Sequence, residues 1–147
     1  MPSEVYIGVG SNIDPQRNIA DAMDELERRL GPVEPSSVFR NPPVGFEGED
    51  FLNLVLRVQI ALCPSGIEVI LNEIESKSGR VRDGGGPGPR SLDLDLLLYG
   101  SRVDPTIKLP HPDVLNYAFV LCPLAELVPH LVHPITGARM EDAWIAM

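Results

Sequence analysis

The chain has 147 residues, 44% hydrophobic and 22% charged, with a formal net charge of −9. That length fits one domain, residues 1–147, with a real core, and the composition is ordinary for a soluble globular protein. The acidic excess argues against nucleic acid or anionic membranes as partners, and no apolar run approaches the roughly 20 residues of a membrane span.

The opening residues MPSEVYIG lack a basic n-region and an apolar h-region, so no signal peptide is expected and the cytoplasm is the expected compartment. Cys63 and Cys122 have no metal-ligand spacing and are expected as reduced, semi-buried thiols.

In chain order, residues 5–9 form a short apolar strand. Asp14-Pro15 then opens a helix, with Asp as N-cap and Pro in the first turn. Ile19, Met23, Leu26 and Leu30 recur at helical spacing, and Gly31 ends the segment. Residues 33–40 are predicted as a strand, and the Pro- and Gly-containing residues 41–50 as a loop. Residues 51–62 form a long strand, with Leu52, Leu54 and Leu56 alternating on one face. A second helix follows Pro64, with Ile67, Ile70, Leu71 and Ile74 inward and Gly79 at its end. Residues 92–99 make the fourth strand, and the remainder reads as short helical turns broken by prolines. The order is βαββαβ, which predicts an α+β fold: a ferredoxin-like sandwich, an antiparallel sheet with helices on one face, carrying an irregular C-terminal extension.

Residues 79–97, GRVRDGGGPGPRSLDLDLL, are the most informative stretch. Arg80, Arg82 and Arg90 flank a segment too rich in Gly and Pro to pack. It is expected to be mobile and to close over a bound ligand. The Gly run has neither P-loop nor dinucleotide-fingerprint spacing. In the following strand, Asp93 and Asp95 share one face while Leu92, Leu94 and Leu96 take the other. Two carboxylates side by side suit Mg²⁺, which takes one or two of them and completes its shell with water and phosphate oxygens. Arginines supply the fork that grips phosphate. Together these groups read as a site for Mg–nucleoside triphosphate. A solvated strand with two aspartates is the plain alternative in a chain with 21 acidic residues.

GRVR, a loop, then GPRSLDLDLLLYG resembles the signature of the 6-hydroxymethyl-7,8-dihydropterin pyrophosphokinases of folate biosynthesis. IGVGSN (residues 7–12), FRNPPVG (39–45), DFLN (50–53) and the closing LPHPD and AFVLCPL resemble other segments of that family, in order. The resemblance implies an enzyme that transfers the pyrophosphoryl group of ATP to the pterin's hydroxymethyl oxygen, leaving AMP. It implies two Mg²⁺ ions on Asp93 and Asp95, with Arg80, Arg82 and Arg90 balancing phosphate charge. Nucleotide contacts fall to Glu75, Leu96 and His111. For Glu75, an exposed helical acid is an equal alternative. The pterin falls to Phe51 and Phe119, which sandwich the ring, to Asn53 at its edge, and to the loop at Asn41, Pro42 and Val44. His130 and His133 are expected to be structural. No general base stands out; metal coordination lowering the alcohol's pKa is the economical substitute.

The chain departs from the family at Pro87, where Trp is frequent, at Gly86, where a basic residue is usual, and at Tyr117, where Arg is usual; Asn41 stands where Thr is common. These departures leave room for a related pterin alcohol. A non-catalytic ferredoxin-like small-molecule-binding module is the rival from another class, since fold does not fix function. ATP and a pterin are the expected partners, and a monomer is compatible with the chain.

Overall fold

The structure, a computed structural model, describes residues 2–78 and 91–147. The elements run β1 (Ser3–Ser11), α1 (Pro15–Leu30), β2 (Val33–Pro35), β3 (Phe39–Asn41), β4 (Phe51–Ile60), α2 (Pro64–Lys77), β5 (Asp93–Tyr99), α3 (Asp113–Asn116), α4 (Ala118–Leu127) and α5 (Met140–Ala146). The sheet order is β2-β4-β1-β5, with β3 also pairing β4, and every pairing is antiparallel.

Residues 33–40, expected as one strand, are two. Pro35 has no N–H to donate, and Ser36 takes over the pairing. Its N–H donates to the Val55 carbonyl at 2.8 Å, and its hydroxyl accepts the Val55 N–H at 2.9 Å. One extra residue is accommodated there. Pro35 faces Leu56 and Phe39 faces Asn53, so the three residues 36–38 span the two positions 54 and 55, the one-residue excess of a bulge.

Alternation on β4 divides the molecule into two apolar layers. Leu54, Leu56 and Val58 face α1 and α2, packing with Ile19, Leu26, Ile67 and Leu71. Full burial of each such side chain contributes about 1.5–3 kcal/mol. Val55, on the opposite face, packs with Tyr6, Leu97, Val120, Leu121 and Leu124. Helices therefore cover both faces of the sheet, and the C-terminal extension is a helical layer rather than an irregular one. Pro123 sits inside α4; the lost N–H costs the helix one hydrogen bond, and burial of its apolar side offsets that loss.

A register shift against Tyr6 and Ile7 makes this second layer possible. Leu96 faces the first core, whereas Leu97 and Leu98 both face the second, and Tyr99 returns to the first. An unbroken strand would alternate. The bulge turns one extra leucine toward α3 and α4.

Two local expectations need correction. Asp14 sits at the start of α1 but with φ 41° and no side-chain cap hydrogen bond; instead Asn18 Nδ2 donates to the Ile13 carbonyl at 2.5 Å. Cys63 is exposed rather than semi-buried, while Cys122 is half-buried; both are free. Among the described residues, no helix is long and apolar enough to cross a membrane.

His133 is structural, as expected. It is buried, and its Nδ1 accepts the N–H groups of Ile135 and Thr136, each at 3.2 Å. Burial lowers its pKa from the ordinary 6.5. The unfolded chain then binds the proton more readily. Stability from this site is complete above about pH 6.5 and is lost as pH falls through the depressed native value. His133→Asn, whose Oδ1 can replace Nδ1, is expected to flatten that acid-side slope in urea titrations between pH 7 and 5. An unchanged slope would show that other groups produce it.

Candidate active site

The site begins with two glycines on the central strand. Gly10 of β1 faces Asn53 of β4 on one side and Asp93 of β5 on the other. Gly8 faces Val55 and Asp95 in the same way. Directly paired residues share a sheet face, so Asn53 and the two aspartates flank a groove with no side chain at its floor. β4 and β5 lie two strand spacings apart, about 10 Å, room for a two-ring heterocycle between the amide and the carboxylates. A Cβ on Gly10 would lie 2.7 Å from Asn53 Oδ1, so a side chain there would push Asn53 aside.

The groove is part of a cavity of about 330 Å³ on the face shared with α4. Phe51, Asn53, Phe119, Asn41 and Val44 line it, as do Asp93 and Asp95. The aromatic pair, the amide and the carboxylates expected from the sequence therefore meet in one place. Pro42 is exposed and outside the lining. Asn41 Nδ2 donates to the Pro42 carbonyl at 3.0 Å, and Asn41 Oδ1 accepts from Asn53 Nδ2. Asn41 thus fixes which way the Asn53 amide faces.

Aromatic residues not anticipated for the site also line the cavity. Phe46 meets Phe51 edge-on, with centroids 6.2 Å apart and planes at 85°. Tyr117 stacks on Phe119 at 4.9 Å and 24°. Phe46 lies in a Pro/Gly loop, where the sequence carries no periodicity to reveal its direction.

Beside Asp95, the His111 backbone N–H donates to the Leu97 carbonyl at 2.8 Å. The Asp113 N–H donates to His111 Nδ1 at 3.1 Å. With Nδ1 accepting, the proton of the neutral ring sits on Nε2. Nε2 lies 4.0 Å from Asp95 Oδ1. Burial, then the Lys108 charge, pulls the His111 pKa below its ordinary value, while Asp113 and Asp93 oppose them. Asp95, His111 and Asp113 lie close enough that one atom from each falls within 4.8 Å of the others. A ring with its proton on Nε2 is a donor toward that space, not a ligand. The carboxylates are the hard oxygen donors suited to Mg²⁺, and both half-exposed aspartates border the cavity.

Glu75 is not an exposed helical acid. It is 3% exposed, and its Oε2 accepts the Leu94 N–H at 2.8 Å. Among the described residues β5 is the outermost strand, and Glu75 of α2 satisfies a donor that a neighbouring strand would otherwise take. Leu96, expected beside the nucleotide, has its side chain in the first core at 3% exposure. It points away from the aspartates because successive strand residues alternate. Arg80, Arg82 and Arg90, with the segment between them, lie outside the described residues.

The sequence profile of the family described as 7,8-dihydro-6-hydroxymethylpterin-pyrophosphokinase (HPPK) matches residues 6–129. The 2-amino-4-hydroxy-6-hydroxymethyldihydropteridine pyrophosphokinase of Methylorubrum extorquens is 40% identical over 147 residues, covering 96% of this chain and 91% of that protein. The protein of the same name from Aquifex aeolicus is 36% identical over 142 residues, covering 94% and 88%. A crystal structure of an HPPK-DHPS in complex with substrates superposes with a TM-score of 0.78 at 13% identity, over 99% of this chain and 43% of that longer one.

Proposed function

The chain belongs to the 7,8-dihydro-6-hydroxymethylpterin-pyrophosphokinase family, a family of diphosphotransferases, and from that premise we propose that it transfers the β,γ-pyrophosphoryl group of ATP to the hydroxymethyl oxygen of 6-hydroxymethyl-7,8-dihydropterin. The alcohol loses its proton, the bond from the β-phosphorus to the α,β-bridging oxygen breaks, and AMP leaves with that oxygen. The product enters folate biosynthesis. The observation that carries this reading is the pair of cross-strand rows, Asn53–Gly10–Asp93 and Val55–Gly8–Asp95. They set a carboxylate pair beside a bare groove that has aromatic walls.

Such a transfer needs positioning and charge neutralisation more than covalent help. Asp93 and Asp95 are the residues that would hold Mg²⁺, two ions on the family's pattern. The metal, when bound, neutralises phosphate charge and lowers the alcohol's pKa. Phe51 and Phe119 hold the ring by its faces. Asn53, oriented by Asn41, presents its amide to the ring's edge. His111 Nε2–H is a donor aimed at the space beside Asp95, suited to a phosphate oxygen. Arg80, Arg82 and Arg90 take the remaining phosphate charge on the same reading. Strand order and the split βαββαβ succession support the ferredoxin-like description of the sheet, with residues 1–147 as one catalytic domain.

A related pterin alcohol remains the neighbouring reading, favoured by Tyr117 at a position where the family usually has Arg. A binding module without catalysis has no use for paired carboxylates beside a phosphate donor.

The test is nucleotide analysis after incubation with ATP, Mg²⁺ and the pterin alcohol. AMP formed only when the pterin is present supports the reading; ADP, or no pterin dependence, overturns it. Asn53→Ala is expected to weaken pterin binding by roughly 1–3 kcal/mol, because a polar ring edge is left without its partner. ATP affinity, measured separately by calorimetry, should hardly move. The reverse pattern would mean that the two sub-sites are exchanged.

A further inference from the structure

Tyr117 stands where the family resembled usually has Arg, a departure that leaves room for a related pterin alcohol. In the structure it is part of the cavity lining, and its ring lies on that of Phe119 at 4.9 Å and 24°. Its backbone is clamped between two helices. The Tyr117 N–H donates to the Asp113 carbonyl at 3.1 Å, and its own carbonyl accepts the N–H groups of Val120 at 3.1 Å and Leu121 at 3.0 Å. The residue ends α3 and starts α4 in an extended conformation, φ −128° and ψ 130°. That geometry projects the ring from a fixed base beside the first turn of α4, where Phe119 sits.

Phe119 is half-buried against the second core, which limits its translation but not the tilt of its exposed part. A stacked neighbour sets the tilt, since aromatic pairs hold preferred offsets. Phe51, the other ring of the sandwich, also has an aromatic neighbour, but Phe46 meets it edge-on rather than stacked.

We propose that Tyr117 is a positioning residue for the flat substrate ring: it backs Phe119 and fixes the plane on which the ring stacks. This inference rests on the pterin reading given above. It assigns to position 117 a role on the pterin side of the site rather than the phosphate side. The ring, not the hydroxyl, performs it.

Calorimetric titration with 6-hydroxymethylpterin, and separately with an ATP analogue plus Mg²⁺, tests the assignment in wild type, Tyr117→Ala, Tyr117→Phe and Tyr117→Arg. Tyr117→Ala should weaken pterin binding by about three- to tenfold, with nucleotide affinity unchanged. Tyr117→Phe should restore what Ala loses, and Tyr117→Arg should not. Because Tyr117 is 37% exposed, melting temperatures should differ little, which separates positioning from a general loss of structure. Tighter pterin binding in Tyr117→Ala would place the ring on the substrate's own face of Phe119 and overturn the proposal. Unchanged pterin binding, or a loss confined to the nucleotide, would overturn it as well. Failure of the wild-type protein to bind the pterin would instead remove the functional reading beneath it, and the inference with it.

Discussion

Asp95→Ala is expected to lower kcat by a factor on the order of 10³ or more, the scale seen when a charged contact to a transferring phosphoryl group is lost. Asp93→Ala should behave alike, since both carboxylates border the cavity from one strand face. Stability should change by no more than about 0.5 kcal/mol, the usual range for substitutions outside the core, because both side chains are half-exposed. Activity of the wild type should vanish with a chelator and return with added Mg²⁺. Steady-state kinetics at saturating ATP and pterin provide the measurement. A variant within tenfold of wild type would mean that the carboxylates are a solvated pair and the phosphates are handled elsewhere.

Glu75→Ala carries the largest expected effect on stability, about 2–4 kcal/mol. It removes a hydrogen bond to an ionisable acceptor, leaves the buried Leu94 N–H without it, and opens a cavity under β5. Leu94 lies between Asp93 and Asp95, so the same change loosens the strand that aims both carboxylates. Turnover should therefore fall along with stability. Glu75→Gln keeps an oxygen acceptor in place and should recover most of both. Urea unfolding and kcat, measured on both variants, check this. A Glu75→Ala protein within about 0.5 kcal/mol of wild type would show that the edge of β5 is satisfied in another way.

These two effects differ in how far the sequence alone reveals them. The carboxylate pair follows from strand alternation in LDLDL, which leaves no second choice of face. Asn53 and Phe51 follow from the same rule. Glu75 does not, because a helical Glu with solvent or a strand edge beside it has the same sequence pattern. Leu97 and Leu98 are similarly ambiguous. A run of leucines has no period to show a bulge, and the bulge supplies the second apolar face that α3 and α4 cover. The prolines of the last third read as helix breakers. Pro123 is instead carried inside α4 by burial, so tertiary packing outweighs local propensity there. The groove floor could be read from IGVGSN only once the register had set Gly8 and Gly10 opposite Asn53 and the aspartates. Phe46 and Tyr117 lie in connections whose direction depends on turn geometry, φ 85° at Gly45 among it.

The fate of label from ATP marked at its β-phosphorus tests pyrophosphoryl transfer at this pocket most directly. After incubation with Mg²⁺ and 6-hydroxymethyl-7,8-dihydropterin, pterins are separated from nucleotides and both fractions counted. Label should appear in the pterin fraction, matched by an equal amount of unlabelled AMP, and should be absent with Asp95→Ala. Label retained in ADP, with only the terminal phosphate on the pterin, would contradict it.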